Sequence, residues 1–196
     1  MDLDFDFFQI GEENLEPQKG CLLISEPFLQ DSYFKRSVIL LTEYNEEGAV
    51  GFVLNKPSKI TINEVIEDFP EVDNELTIGG PVATNTVHFC HSYGDLIPNS
   101  VHVINNLFWG GDFDVVKKLF ESNIIDKNQI RFFIGYSGWA PDQLKAEFNE
   151  NSWIVTDIGS LDVLQVYDKQ SWKKILSNLG NKYKIWSNYP ENPVMN

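Results

Sequence analysis

The chain has 196 residues, a length that one hydrophobic core can organise, and 42% of them are hydrophobic, with 14 Phe, 7 Tyr and 5 Trp. That apolar content excludes a disordered chain. The formal net charge is −14, with 17 acids against 5 bases in residues 1–75 and 12 against 10 in residues 76–196, so nucleic-acid binding, which needs Lys and Arg to displace phosphate counterions, starts at a disadvantage.

Residues 1–19 alternate Asp2, Asp4 and Asp6 with Leu3, Phe5 and Phe7 and then turn polar, which reads as an acidic, aromatic arm ahead of one domain over residues 20–196. The start has neither the basic flank nor the apolar stretch of a signal peptide. Runs such as Val38-Ile39-Leu40-Leu41 are far shorter than the ~20 residues of a membrane-spanning helix. Cys21 and Cys90 are too few for a disulfide framework. The expected setting is therefore the cytoplasm, with reduced thiols and no membrane contact.

Residues 21–25 read as a buried strand closed by Pro27, and residues 37–43 and 49–55 as a hairpin joined through Gly48. The spacing Thr61-x-x-Glu64 is that of a capping box and predicts a short helix ending before Pro70. Further strands are expected at 76–78, 87–91, 101–104, 130–135 and 153–156, from β-branched and aromatic content between turn residues. Asp112 is the expected N-cap of a helix running to Ser122. A second helix is expected from Pro141 to about 149, and a third over about 170–179 with Gly180 as its stop.

Candidate chemistry is thin. His88, Cys90 and His91 offer zinc-type ligands, but on a strand His88 and Cys90 share one face and His91 the other, so no metal site or other cofactor is expected. Gly135-Tyr136-Ser137-Gly138-Trp139 between a strand and a helix suggests a nucleophile elbow. Yet Trp139 stands where that motif needs Gly, and no His follows residue 102 to activate Ser137. A tight strand-to-helix turn with Trp139 as a core anchor is the expected structure over 135–143, and its free amides suit a small anion. Gly79-Gly80-Pro81 lacks the Lys and Ser/Thr of a phosphate loop and reads as a turn. Asn55, ahead of Lys56-Pro57, reads as a turn residue or a ligand-facing amide. Lys169, Lys173, Lys174, Lys182 and Lys184 form the one basic stripe, read as a solvated helix face rather than a DNA contact.

Gly20-Cys21-Leu22-Leu23-Ile24-Ser25-Glu26-Pro27, Phe34-Lys35-Arg36-Ser37-Val38-Ile39-Leu40-Leu41, Gly48-Ala49-Val50-Gly51-Phe52-Val53-Leu54-Asn55-Lys56-Pro57, Gly79-Gly80-Pro81-Val82 and Gly138-Trp139, in that order, resemble the YqgE/AlgH family of bacteria over residues 20–180. The resemblance implies an α/β domain with a mixed, largely antiparallel, bifurcated sheet resembling a barrel and flanked by helices. It brings no agreed enzymatic activity, and some members carry the label of transcriptional regulator. Matching positions include Arg36, Asn55, His91, Gly138, Trp139 and Gln143, none with an assigned role. The expectation is a non-catalytic binding or regulatory module for an unknown protein or small anionic ligand, with Asn55, His91, Ser137, Gly138, Trp139 and Gln143 as hypothetical ligand-binding residues and no catalytic residue. An enzyme using the 135–143 turn is the second reading and a DNA-binding regulator the third.

Overall fold

A computed structural model describes residues 15–159, 161–166 and 168–191; most of the proposed acidic arm, residues 1–14, lies outside the described residues. Ten strands form one sheet: β1 (Leu22–Ser25), β2 (Val38–Asn45), β3 (Gly48–Val53), β4 (Pro57–Thr61), β5 (Glu75–Ile78), β6 (Val82–His91), β7 (Val101–Ile104), β8 (Leu107–Trp109), β9 (Ile130–Trp139) and β10 (Trp153–Thr156). Five helices flank it: α1 (Ile62–Val65), α2 (Phe113–Glu121), α3 (Gln143–Asn149), α4 (Ser171–Asn178) and α5 (Asn181–Trp186). The strand order is β10-β1-β2-β3-β9-β6-β8-β7, antiparallel throughout, with β5 parallel to β9 and β4 beyond it. The sheet is not closed into a barrel.

The sheet forks at β9. Phe133 and Ile134 pair with β5 on one edge and β6 on the other, whereas Ser137, Gly138 and Trp139 pair with Gly51, Val50 and Ala49 of β3. The chain must therefore cross over β9 between β5 and β6, and Gly79-Gly80-Pro81 is that crossing. A Cβ on Gly79 would sit 2.3 Å from the Gly135 carbonyl oxygen, and one on Gly80 would sit 2.3 Å from the Tyr136 carbonyl. Only glycine lets backbone lie on backbone this closely. Gly135, at φ +65, absorbs the local bend from within the strand.

Three apolar layers follow from strand alternation. Leu22, Ile24, Leu40 and Phe52 meet Phe133 and Cys90 from the other leaf, and Trp172, Leu176 and Tyr183 of α4 and α5 join the same cluster. Leu23, Ile39, Leu41 and Val53 face the opposite way, towards Leu144 of α3, Trp139 and Trp153. Phe89, Phe132 and Ile130 pack against Val116 and Phe120 of α2. Arg131 is buried among them. Its guanidinium donates to Thr77 Oγ1 (2.9 Å) and to the carbonyls of Val163 (3.2 Å) and Leu54, tying three segments together.

Several expectations need correction. The strand expected to stop at Gly135 runs on to Trp139, so no strand-to-helix turn exists over 135–139, and α3 starts at Gln143, two residues after Pro141. β6 begins at Val82 rather than 87, while β4, β8 and α5 were not anticipated. The α2 N-cap is Asp112, whose side chain accepts from Val115 N–H, and Glu64 accepts from Thr61 N–H as the capping box requires. No helix among the described residues is long and apolar enough to cross a membrane.

Candidate functional site

The hypothetical ligand-binding residues fall into separate places, and most of their polar atoms are engaged. Asn55, past the end of β3, accepts from Val38 N–H (2.9 Å) and donates to the Arg36 carbonyl (2.8 Å), closing the loop that enters β2. His91, at the far end of β6, is fully buried. Its Nδ1 accepts from Tyr93 N–H (3.1 Å), so the Nε2 proton is placed to donate to the Gly110 carbonyl (3.0 Å). Burial holds this imidazole below its usual pKa, partly offset by the Gly110 bond.

Ser137 is fully buried within β9 and its hydroxyl donates to the Gly79 carbonyl (3.0 Å), at the crossing point. It is a strand residue, not an exposed elbow. Trp139 is 5% exposed, stacks on Phe34 (5.9 Å) and meets Trp153 edge-on (6.1 Å). Gln143 accepts from Ala140 N–H (3.0 Å) and donates to Glu147 (3.0 Å), which closes off the amide proposed to hold an anion. Sequence reading passed over Glu147. Its Oε2 accepts from the indoles of both Trp139 (3.0 Å) and Trp153 (2.7 Å), so Trp139, Gln143 and Glu147 form one cluster that fastens α3 to the sheet.

His88 and Cys90 are on one face of β6, as the strand period requires, with His88 against Phe52 and Tyr136 and Cys90 in the core. Burial raises the Cys90 thiol to about 12 and Cys21 to about 11, the opposite of what a metal-binding thiolate needs. Among the described residues no three His, Cys, Asp or Glu side chains gather at ligating distance.

What does remain open is a groove of about 400 Å³ between the β2–β3 hairpin and the ends of β6 and β9. Val50, Val82, Gly138 and the Tyr136 ring line it, with the Glu43 and Glu47 carboxylates on the hairpin side. Of the hypothetical ligand-binding residues, Gly138 and Trp139 border it, Gly138 leaving it open by lacking a side chain while the Trp139 ring is buried in the core. The β-bulge at Thr42, between Leu41 and Glu43, turns Glu43 opposite Val50 at the rim. Alternation of Tyr136 and Gly138 across β9 was the available sequence signal. It was obscured by ending the strand at Gly135.

A family model described as AlgH-like matches residues 22–184. Similar proteins include a UPF0301 protein of Bacteroides thetaiotaomicron, 41% identical over 198 residues and covering 100% of both chains, and one of Cytophaga hutchinsonii, 44% identical over 179 residues, covering 91% of this chain and 98% of that one. Among solved structures, a Corynebacterium diphtheriae protein gives a TM-score of 0.73 at 24% identity, covering 90% of this chain and 95% of that one. The solution structure of the AlgH protein from Pseudomonas aeruginosa gives 0.70 at 23% identity, covering 90% and 97%. At that identity these two show the shared fold.

Proposed function

The chain belongs to the AlgH-like family, and from that premise we propose that it is a non-catalytic binding module whose ligand sits in the groove between the β2–β3 hairpin and β9. The observation that carries the reading is the groove itself, about 400 Å³ with apolar walls at Val50 and Val82, an aromatic ring at Tyr136 and carboxylates at one rim. Ser137 and Asn55, two of the groups that could have served chemistry, spend their hydrogen bonds on the backbone, and His91 spends its own on the backbone and on Ser100 Oγ (3.1 Å). Glu43 and Glu47 set the ligand's charge. They repel an anion and favour a neutral or cationic group, which the Tyr136 face also attracts. The same carboxylates work against a phosphate backbone, so a DNA-binding regulator gains no support from this groove.

The test is a titration of the ¹⁵N-labelled chain with arginine methyl ester and, separately, with acetate, followed by amide shifts. The cation should move Val50, Val82, Tyr136 and Gly138 selectively, and Tyr136→Ala should remove the response. Equal response to acetate, or shifts scattered elsewhere, would defeat the groove as the site.

A further inference from the structure

At the other end of β2, about 25 Å from the hairpin tip by strand rise, the loop entering the strand carries a second surface of opposite charge. Lys35 and Arg36 lie there, Lys56 follows Asn55 on the adjacent segment, and both Asp31 and Lys169 are near enough to act on Lys56 electrostatically. Phe28 and Tyr33 expose their rings beside them. For a chain of net charge −14, this concentration of cations needs a physical reason.

The surface is covered by the chain's own segment after α5. Tyr189 stacks on Phe28 (5.2 Å, 21° between planes), the Tyr189 carbonyl accepts from Arg36 (2.5 Å), and the Glu191 carbonyl accepts from Lys35 (2.9 Å). Lys56 in turn donates to the Tyr33 carbonyl. These cations therefore spend themselves on neutral carbonyls, and a carboxylate would make charge-assisted bonds about twice as strong. Asp31, whose carboxylate caps Tyr33 and Phe34 N–H, and Glu26, which accepts from Phe28 N–H (3.1 Å), are the acids on the loop, and both are turned to its own amides.

Arg36 is the centre of the arrangement. It holds φ +51, uncommon for a residue with a side chain, and Asn55 clamps the backbone there by accepting from Val38 N–H and donating to the Arg36 carbonyl. The guanidinium lies over the buried Trp172 ring (4.7 Å), and its Nε is shielded from solvent with no hydrogen-bond partner. A strained backbone, a clamp and an unused donor together make a preset cation rather than a solvated one.

We propose that the surface of Lys35, Arg36 and Lys56, with Phe28 as a stacking platform, is a docking site for an acidic peptide segment of a partner protein that carries an aromatic residue, and that the chain's own Tyr189-Pro190-Glu191 occupies it until displaced. The segment shows which contacts fit, an aromatic ring on Phe28 and main-chain oxygens on the cations, and a partner's carboxylates would replace those neutral oxygens with charged ones. The site is independent of the hairpin groove, and either can fail without the other.

The test is fluorescence anisotropy on the full chain with a fluorescein-labelled octapeptide, Asp-Tyr-Pro-Glu repeated twice, against the same peptide with Lys replacing its acids. The acidic peptide should bind and the basic one should not. Tyr189→Ala, which loosens the covering segment, should raise affinity at least tenfold. Lys35→Glu and Lys56→Glu in that background should lower it at least tenfold with an unchanged melting temperature. Equal binding of the two peptides, no gain in Tyr189→Ala, or tighter binding of a single-stranded oligonucleotide than of the acidic peptide would each overturn the proposal.

Discussion

Ser137 and Trp139, two residues apart on β9, point to the same buried face, and their structural roles separate by magnitude. Gly79 O already accepts from Val53 N–H (2.9 Å) as well as from the Ser137 hydroxyl, so Ser137→Ala orphans no buried carbonyl and should cost about 0.5–1.5 kcal/mol. Trp139→Ala removes a large buried ring and a donor to Glu147, leaving Phe34 and Trp153 facing a void, and should cost about 3–5 kcal/mol. Urea unfolding of both variants checks the contrast. Equal losses would mean that Trp139 is not the anchor it resembles.

Among the elements, the crossing of residues 79–81 over β9 is where one methyl group should matter most. Gly80→Ala places a carbon against the Tyr136 carbonyl, which belongs to the sheet and cannot move aside, so a loss at or above the usual 1–3 kcal/mol of overpacking is expected. Gly110→Ala is the control. Its φ of +67 carries only conformational strain, about 1–2 kcal/mol, because nothing lies within 4 Å of the added carbon. Comparable losses by chemical denaturation would show that backbone contact is not what Gly80 relieves. The crossing also marks the limit of what the sequence could disclose. The β2–β3 hairpin, α2 between Asp112 and Ser122, and β10 were legible because alternation, an N-cap and turn residues act locally. Gly135 was read as a strand end because glycine is depleted in strands, whereas here the close passage of residues 79–81 makes it necessary. β8 was missed because three residues give no period, although Asn105-Asn106, with Asn105 at φ +51, is the tight turn that pairs Ile104 with Leu107. Of the candidate site, Gly138 was legible from its motif. Its groove partners Val50, Val82 and Glu43 come together only through the fork in the sheet.

For the whole molecule, the buried His91 links stability to pH. Its folded pKa is held below the usual value by desolvation, and its recorded hydrogen-bond partners, Tyr93 N–H, Gly110 O and Ser100 Oγ, carry no charge. The unfolded chain takes up this proton near pH 6.5 and the folded chain only at lower pH. Between those values the unfolded state binds more protons, so stability falls as pH falls, by up to about 1.4 kcal/mol per pH unit for one group. Above about pH 6.5 the contribution is fully present. His88, also lowered by burial, adds in the same direction but is partly open to water. The carboxylates of a chain at −14 titrate over an overlapping range, and a single acid melt would mix the two effects. His91→Gln isolates one of them, since glutamine keeps a donor and an acceptor but does not titrate. The variant should be less stable at pH 7.5, and the gap to the parent chain should narrow steadily as pH falls from 6.5 towards 5. A gap that stays constant across that range would show that His91 takes up its proton equally in both states, and would remove it from the account of acid stability.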